Sequence, residues 1–214
     1  MDLVIVSDTH LRTFEVPSGN MLIHCGDALM GGDVKEMAKF AMWWNALPHK
    51  HKIFVPGNHD WIFQRQESLA RSMLENTITL IDETVTIDGL KIHGTPRTPE
   101  FCGWAFMHYD DNQYKGLGEY FSLIPNNLDI LISHGPPKGF LDDAPSGPSV
   151  GSLELLKAIE RVEPKYVFVG HIHCGRIQGQ NKDGTALHGK TNIVNCSNVN
   201  EAYKYVYPPR LITI

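Results

Sequence analysis

The chain has 214 residues, enough for one medium domain or two very small ones. Its 42% hydrophobic and 20% charged residues are an ordinary globular make-up, and no apolar run reaches the roughly 18 residues of a membrane span. A net charge of -5 counts against a protein whose main work is gripping long nucleic acid, although bound metal ions would add positive charge locally.

Short apolar runs bounded by Gly, Pro, Asn or Asp read as strands, and longer 3.6-period patterns between them read as helices. In chain order, Leu3–Val6 and Met21–His24 are expected strands. Asp33 with Glu36 makes a capping-box-like helix start, and Val34, Met37, Ala38, Ala41 and Trp44 fall on one face before Pro48 ends the helix. Phe40 and Trp43 join Trp44 as core or interface candidates. A strand at Ile53–Val55 and a helix over Gln64–Leu74 follow, then strands at Ile78–Ile81, Thr84–Ile87 and Leu90–His93. Asp88-Gly89 is a two-residue hairpin turn between the last two. Ile130–Ser133 is the next strand, and Gly135–Val150, rich in Pro, Gly and Asp, is a long loop. A helix over Ser152–Val162, with Leu153, Leu156 and Ile159 inward and Pro164 beyond its end, leads to strands at Tyr166–Val169 and Ile193–Asn195. This alternation predicts an α/β protein with a mostly buried sheet.

Five polar clusters each follow an apolar strand: Asp8-Thr9-His10, Gly26-Asp27, Gly57-Asn58-His59-Asp60, His134-Gly135 and Gly170-His171-Ile172-His173. Loops at the carboxyl ends of parallel strands converge on one edge of the sheet, where ligands bind. That convergence would gather Asp8, His10, Asp27, Asn58, His59, His134, His171 and His173. The donor set is imidazole, carboxylate and carboxamide without thiolate, which suits Mn, Fe, Zn, Ni or Co. Two carboxylates with several imidazoles exceed what one tetrahedral ion uses, whereas two ions about 3.5–4 Å apart use them naturally. The adjoining glycines at 26, 57, 135 and 170 allow sharp backbone turns.

Several other residues read more plainly. His24 is expected to pack or to support the site rather than ligate, and His49 and His51, beside lysines, to be solvated. The four cysteines show no CxxC spacing and are expected as free thiols, with Cys174 a bystander. Arg97, Phe101, Trp104 and His108, in the segment Thr95–Asp111, are candidates to line a substrate pocket. Met1-Asp2 followed only by Leu3–Val6 resembles no signal peptide, so a cytoplasmic location is expected.

The ordered series D-x-H, G-D, G-N-H-D, H and G-H-x-H, from Asp8 to His173, resembles the calcineurin-like metallophosphoesterase superfamily. Ala46-Leu47-Pro48-His49, Gly94-Thr95-Pro96 with Trp104-Ala105-Phe106, His134-Gly135-Pro136-Pro137 with Leu141-Asp142, and Tyr207-Pro208-Pro209 are similar to its small MPPED-type metallophosphodiesterases. The resemblance implies a four-layer α-β-β-α sandwich of two mixed sheets, with residues 1–214 as a single domain. It implies two divalent metal ions, Mn foremost. Asp8, His10 and His173 would hold the first, Asn58, His134 and His171 the second, and Asp27 would bridge them. His59 would stand off the metals as leaving-group acid or charge stabiliser, with Asp60 either orienting it or lying at the surface. Hydroxide between the ions would attack in line on a small phosphodiester, cyclic nucleotides (2′,3′ or 3′,5′) being the substrate class implied. Cys174-Gly175-Arg176 departs from the acidic residue and Gly-Tyr-Gly-like run of MPPED-type proteins, which bears on substrate access near the first metal.

Three other functions remain open. A phosphomonoesterase or protein phosphatase is the first; the protein phosphatases that the chain resembles usually continue the Gly26-Asp27 motif with arginine, whereas Ala28-Leu29-Met30 follows here. A DNA nuclease would call for a basic groove. A catalytically weak metal-binding partner protein is compatible with the same fold.

Overall fold

The computed structural model describes residues 1–110, 116–145 and 147–214. In strand β1 (Asp2–Val6), Leu3 and Ile5 face one way and Val4 and Val6 the other, all fully buried. A strand apolar on both faces needs a layer on each side. β2 (Met21–His24), β3 (His51–Phe54) and β4 (Thr77–Thr79) add to it in parallel, and β13 (Arg210–Thr213) pairs antiparallel on the other flank, giving the order β13-β1-β2-β3-β4.

A second mixed sheet runs in the order β11-β12-β10-β9-β6-β5. Its strands are β5 (Glu83–Ile87), β6 (Leu90–Thr95), β9 (Ile130–Ser133), β10 (Tyr166–Val169), β11 (Thr185–His188) and β12 (Thr191–Asn195). The small pair β7 (Thr98–Pro99) and β8 (Met107–His108) stands apart. Asp88 and Gly89 join β5 to β6 with φ of 48° and 88°, the left-handed geometry a two-residue hairpin turn demands.

Three apolar clusters define the layers. Leu3, Ile5, Ile23, Ile53, Ile92, Ile130, Ile132 and Phe168 fill the space between the two sheets. Val4, Val6, Leu22 and Phe54, on the outer face of the first sheet, pack against α1 (Val34–Asn45), α2 (Trp61–Arg65) and α3 (Glu67–Met73). Leu131, Val167, Val169 and Ile193 do the same on the second sheet against α4 (Leu117–Ser122) and α5 (Leu153–Val162). The result is a four-layer α-β-β-α sandwich of two mixed sheets flanked by helices. Among the described residues, no helix is long and apolar enough to cross a membrane.

Several details differ from the expectations. In α1 the Asp33 carboxylate caps Glu36 N–H as read, but the buried face is Met37, Phe40, Ala41 and Trp44, with Val34 and Ala38 exposed. The helix expected over Gln64–Leu74 is two short helices, because Gln66 leaves helical geometry at φ -143° and ψ 52°. α5 buries Leu155, Ala158, Ile159 and Val162; Leu153 is exposed and Leu156 half-buried. His49 is buried rather than solvated and donates Nε2–H to the Pro17 carbonyl, while His51 lies in β3 with Nε2 beside Asp88. Helix α4 and strands β7, β8, β11 and β13 are additions. All four cysteines are free thiols. Gly135–Val150 is a loop over its described residues, and Asp111 of the expected pocket segment lies outside the described residues.

Candidate metal centre

β1, β2 and β3 run parallel in one sheet and β9 and β10 in the other, and each ends beside one of the five polar clusters. A bridge between Ser7 and Ser197 ties the sheets together at this edge. Turning so sharply past a strand end forces unusual backbone: Asp8, His10, Asp27 and His171 have φ of 53°, 43°, 58° and 64°. Left-handed non-glycine residues cost about 1–3 kcal/mol each, and they concentrate where function over-determines geometry.

The eight predicted residues come together. Asp8, His10 and His173 each offer a donor atom, all within 4.8 Å of one another, and Asp27, His134 and His171 form a second such set. Asp27 stands between them, its Oδ2 lying 3.9 Å from His10 Nε2 and 3.3 Å from His134 Nε2. Asn58 Oδ1 is 3.0 Å from His134 Nε2, on the second side. His59 also reaches donor spacing with His10 and Asp27, and its ring lies 4.9 Å from that of His10.

Backbone carbonyls aim the imidazoles. His10 Nδ1–H donates to Leu29 O at 2.9 Å, His134 Nδ1–H to Cys25 O at 2.9 Å, His173 Nδ1–H to Asn200 O at 3.2 Å, and His59 Nδ1–H to Met30 O. A carbonyl only accepts, so each bond fixes the proton on Nδ1 and leaves Nε2 for the site. His10 Nε2 is buried without any partner, which a cation would supply.

The charges favour a cation too. Burial, only partly offset by Asp27 and Asp8, pushes His10 down to about 4. Burial together with the neighbouring His134 takes His171 to about 4. Both imidazoles are therefore neutral at pH 7, each with a lone pair that a cation could take. Burial alone would raise Asp8 and Asp27, but His173 brings Asp8 to about 2 and His134 holds Asp27 well below the usual range. Against its own burial, His134 is lifted to about 9 by Asp27, a proton that a bound cation would displace. Two carboxylates, a carboxamide and Nε2-directed imidazoles fit divalent ions.

Around these donors the packing is tight. Asp60 is fully buried, and its carboxylate accepts N–H from Gly57 (2.8 Å), Asp27 (3.0 Å), Ala28 (3.3 Å) and Leu29 (3.0 Å). It therefore clamps the loop after β2 to the loop after β3, and the reading of Asp60 as an orienter of His59 or a surface residue is corrected. Burial first and the charge of Asp27 second push Asp60 up to about 7, against four donors that favour its ionised form. A Cβ at Gly57 would sit 2.2 Å from Asp27 Oδ1, and one at Gly170 would sit 2.4 Å from Asp8 Oδ2. His24 supports from behind, accepting Gly26 N–H on Nδ1 and donating Nε2–H to Thr9 Oγ1, with Phe40, Trp44 and Phe54 around its ring.

A cavity of about 220 Å³ opens over the centre. Asp27, Asn58, His59, His171 and His173 form its floor, with Phe101, Trp104, Met107, Glu201 and Tyr203 around them. Trp104 packs on His59 at 4.3 Å between ring centroids. Phe101 and Trp104 thus line the pocket, whereas Arg97 pairs with Asp82 and His108 and covers the Tyr120 ring. Cys174 lies beside this rim, its thiol donating to Asp143 O, with burial pushing it up to about 11. Glu201 and Tyr203 carry no motif and were not anticipated. The Tyr203 ring lies edge-on to His10 at 4.7 Å and to His173 at 5.4 Å.

A family model described as calcineurin-like phosphoesterase matches residues 1–175. Human Metallophosphoesterase domain-containing protein 1 is 39% identical over 241 residues, an alignment covering 99% of this chain and 70% of the human one. A UPF0046 protein of Caenorhabditis elegans is 32% identical over 217 residues, covering 94% of this chain and 71% of its own. The crystal structure of phosphopantetheinyl hydrolase from Mycobacterium tuberculosis superposes with a TM-score of 0.65 over 98% of this chain and 95% of that one; at 14% identity the likeness is one of fold.

Proposed function

The chain belongs to the calcineurin-like phosphoesterase family and is a metal-dependent phosphoesterase; from that premise we propose a two-metal phosphodiesterase acting on small phosphodiesters, cyclic nucleotides foremost. The observation that carries this reading is the position of Asp27. One carboxylate oxygen lies 3.9 Å from His10 and 3.3 Å from His134, between two three-residue donor sets. Asp8, His10 and His173 would hold one ion, Asn58, His134 and His171 the other, with Asp27 shared. Mn is the first choice, and Fe, Zn, Ni or Co suit the same donors.

Bound there, divalent ions would supply Lewis-acid charge to phosphoryl oxygens and make water a stronger nucleophile near neutral pH. The chain's own part is positioning and proton transfer. With Nδ1–H committed to Met30 O, His59 presents Nε2 to the cavity, and once protonated there it can hand that proton to the departing ester oxygen. Trp104 packed on the ring keeps it in place. Phe101, Trp104 and Tyr203 give a flat ester group such as a nucleobase an apolar surface to lie on. All of 1–214 is read as one domain: the family match stops at residue 175, but β13 returns to pair with β1.

The test is hydrolysis of bis-p-nitrophenyl phosphate by metal-stripped protein with Mn restored, comparing wild type, Asp27→Ala and His59→Ala. Metal-dependent turnover that is lost in Asp27→Ala and reduced in His59→Ala supports the reading. Negligible rates in all three, with metal binding verified, would sink it.

A further inference from the structure

One wall of the cavity is a short hook of chain after β12 that no motif announced. Asn200 Oδ1 accepts N–H from Ala202 and from Lys204, both at 3.1 Å, and Tyr203 N–H donates back to Asn200 O at 2.8 Å. A bridge between Val199 and Tyr205 closes the hook, and Arg12 Nε–H holds the Tyr203 carbonyl at 3.1 Å. The hook is also fastened to the candidate ligands. His173 Nδ1–H donates to Asn200 O at 3.2 Å, and Glu201 Oε1 accepts Cys174 N–H at 2.8 Å. The Glu201 carboxylate is thus held at the cavity wall next to His173.

The charges of the lining bear on which phosphate ester fits. Among the described residues that line the cavity there is no Lys or Arg, and Glu201 adds a negative charge beyond that of Asp27. A phosphomonoester, with a second pKa near 6, is largely a dianion above neutral pH, whereas a diester carries one charge. Beyond the positive charge that bound metal ions would bring to the floor, a wall that favours dianions would add Arg or Lys donors. Here the wall does the reverse.

We infer that Glu201 is a specificity-determining residue that sets the cavity against dianionic phosphomonoesters and in favour of monoanionic diesters. This rests on the phosphodiesterase reading above and adds a basis for the choice of ester. It bears on release as well: diester hydrolysis creates a monoester dianion, which the same carboxylate would repel from the site.

The size of the effect follows from Coulomb's law. Two unit charges about 7 Å apart in water interact by about RT, so removing a wall charge at such a range changes binding about threefold per unit charge on the ligand. A dianion would then gain about threefold over a monoanion. Glu201→Gln keeps the oxygen that accepts Cys174 N–H and removes only the charge. The first readout is calorimetric Kd for inorganic phosphate and for dimethyl phosphate at pH 8 with Mn present. The second is kcat/KM for p-nitrophenyl phosphate against bis-p-nitrophenyl phosphate.

Both ratios are expected to move about threefold toward the dianion in Glu201→Gln and to shrink back in 0.5 M salt. Glu201→Asp, which retains the charge, should keep the wild-type ratios. Unchanged ratios in Glu201→Gln, an equal shift for both charge types, or a Glu201→Asp ratio matching Glu201→Gln would overturn the inference. Absent turnover on both esters would remove the diesterase reading instead, and the phosphate to dimethyl phosphate Kd ratio would still report on Glu201.

Discussion

Replacing Asp60 tests whether the centre is held by its second layer. The carboxylate is fully buried and accepts four N–H groups, three on Oδ2 from Gly57, Asp27 and Ala28 and one on Oδ1 from Leu29. Asp60→Ala leaves all four donors buried without a partner. A hydrogen bond to a charged group contributes about 1.5–3 kcal/mol, but one carboxylate serving four donors will not give four times that. A buried donor left unpaired costs about 1–3 kcal/mol, and with partial relaxation of the four about 4 kcal/mol is the figure expected here. At about 2–4 °C per kcal/mol for a chain of this size, the midpoint should fall by about 8–16 °C. Asp60→Asn can keep its oxygen under the three Oδ2 donors, but its amide then meets Leu29 N–H, donor against donor, so roughly half the loss is expected. The assay is thermal unfolding by circular dichroism at pH 8, where Asp60 is ionised, on metal-free and Mn-loaded protein. A midpoint for Asp60→Ala within about 2 °C of wild type would refute the clamp.

Gly57→Ala places a methyl 2.2 Å from Asp27 Oδ1 and 2.4 Å from Asp27 N, so the Asp27 carboxylate must move; at least a tenfold loss of Mn affinity is expected by calorimetry. Mn at about 100 times its Kd should stabilise wild type by about 2.7 kcal/mol, raising the midpoint by about 5–11 °C, and should leave Asp27→Ala unmoved. His93 is buried, which pushes it down to about 4 in the fold. Its folded pKa lies below the unfolded value of about 6.5, so its contribution is complete above pH 6.5 and is lost as pH falls toward 4, on the order of 3 kcal/mol in all. Urea unfolding at pH 7.5 and 4.5 should therefore show a loss smaller by about that amount in His93→Gln, and identical losses would count against this assignment.

How far the fold could be read from sequence depended on how much each element owes to its own residues. Strands buried on both faces, such as Leu3–Val6 and Ile130–Ser133, announce themselves as continuous apolar runs. β11 and β13 are edge strands whose side chains are half-buried or exposed, so their pattern is weak and the neighbouring strand creates them. Three helical regions were legible while short α4 was not, and helix phase was legible only in part. In α5 the inward face includes Ala158, too small to mark the stripe, while exposed Leu153 mimics a core position. In α1 the first turn, with Val34, lies beyond the buried stripe that begins at Met37.

That the candidate donors come together was legible for a different reason. Each follows a buried strand directly, so finding the strand locates the donor, and the parallel order brings the strand ends to one edge. The residues that hold or flank the donors obey no such local rule. Asp60 neighbours His59 in sequence, yet three of its four partners lie 31 to 33 positions earlier, at Asp27, Ala28 and Leu29. Glu201 and Tyr203 reach the cavity only because the hook is fastened to His173, Cys174 and Arg12. A motif shared by many phosphoesterases marks the candidate donors; selectivity among esters is proposed to come from the surrounding wall. That is why a sequence can disclose the reaction while the choice of substrate waits on the structure, and why Glu201 is the residue at which to test it.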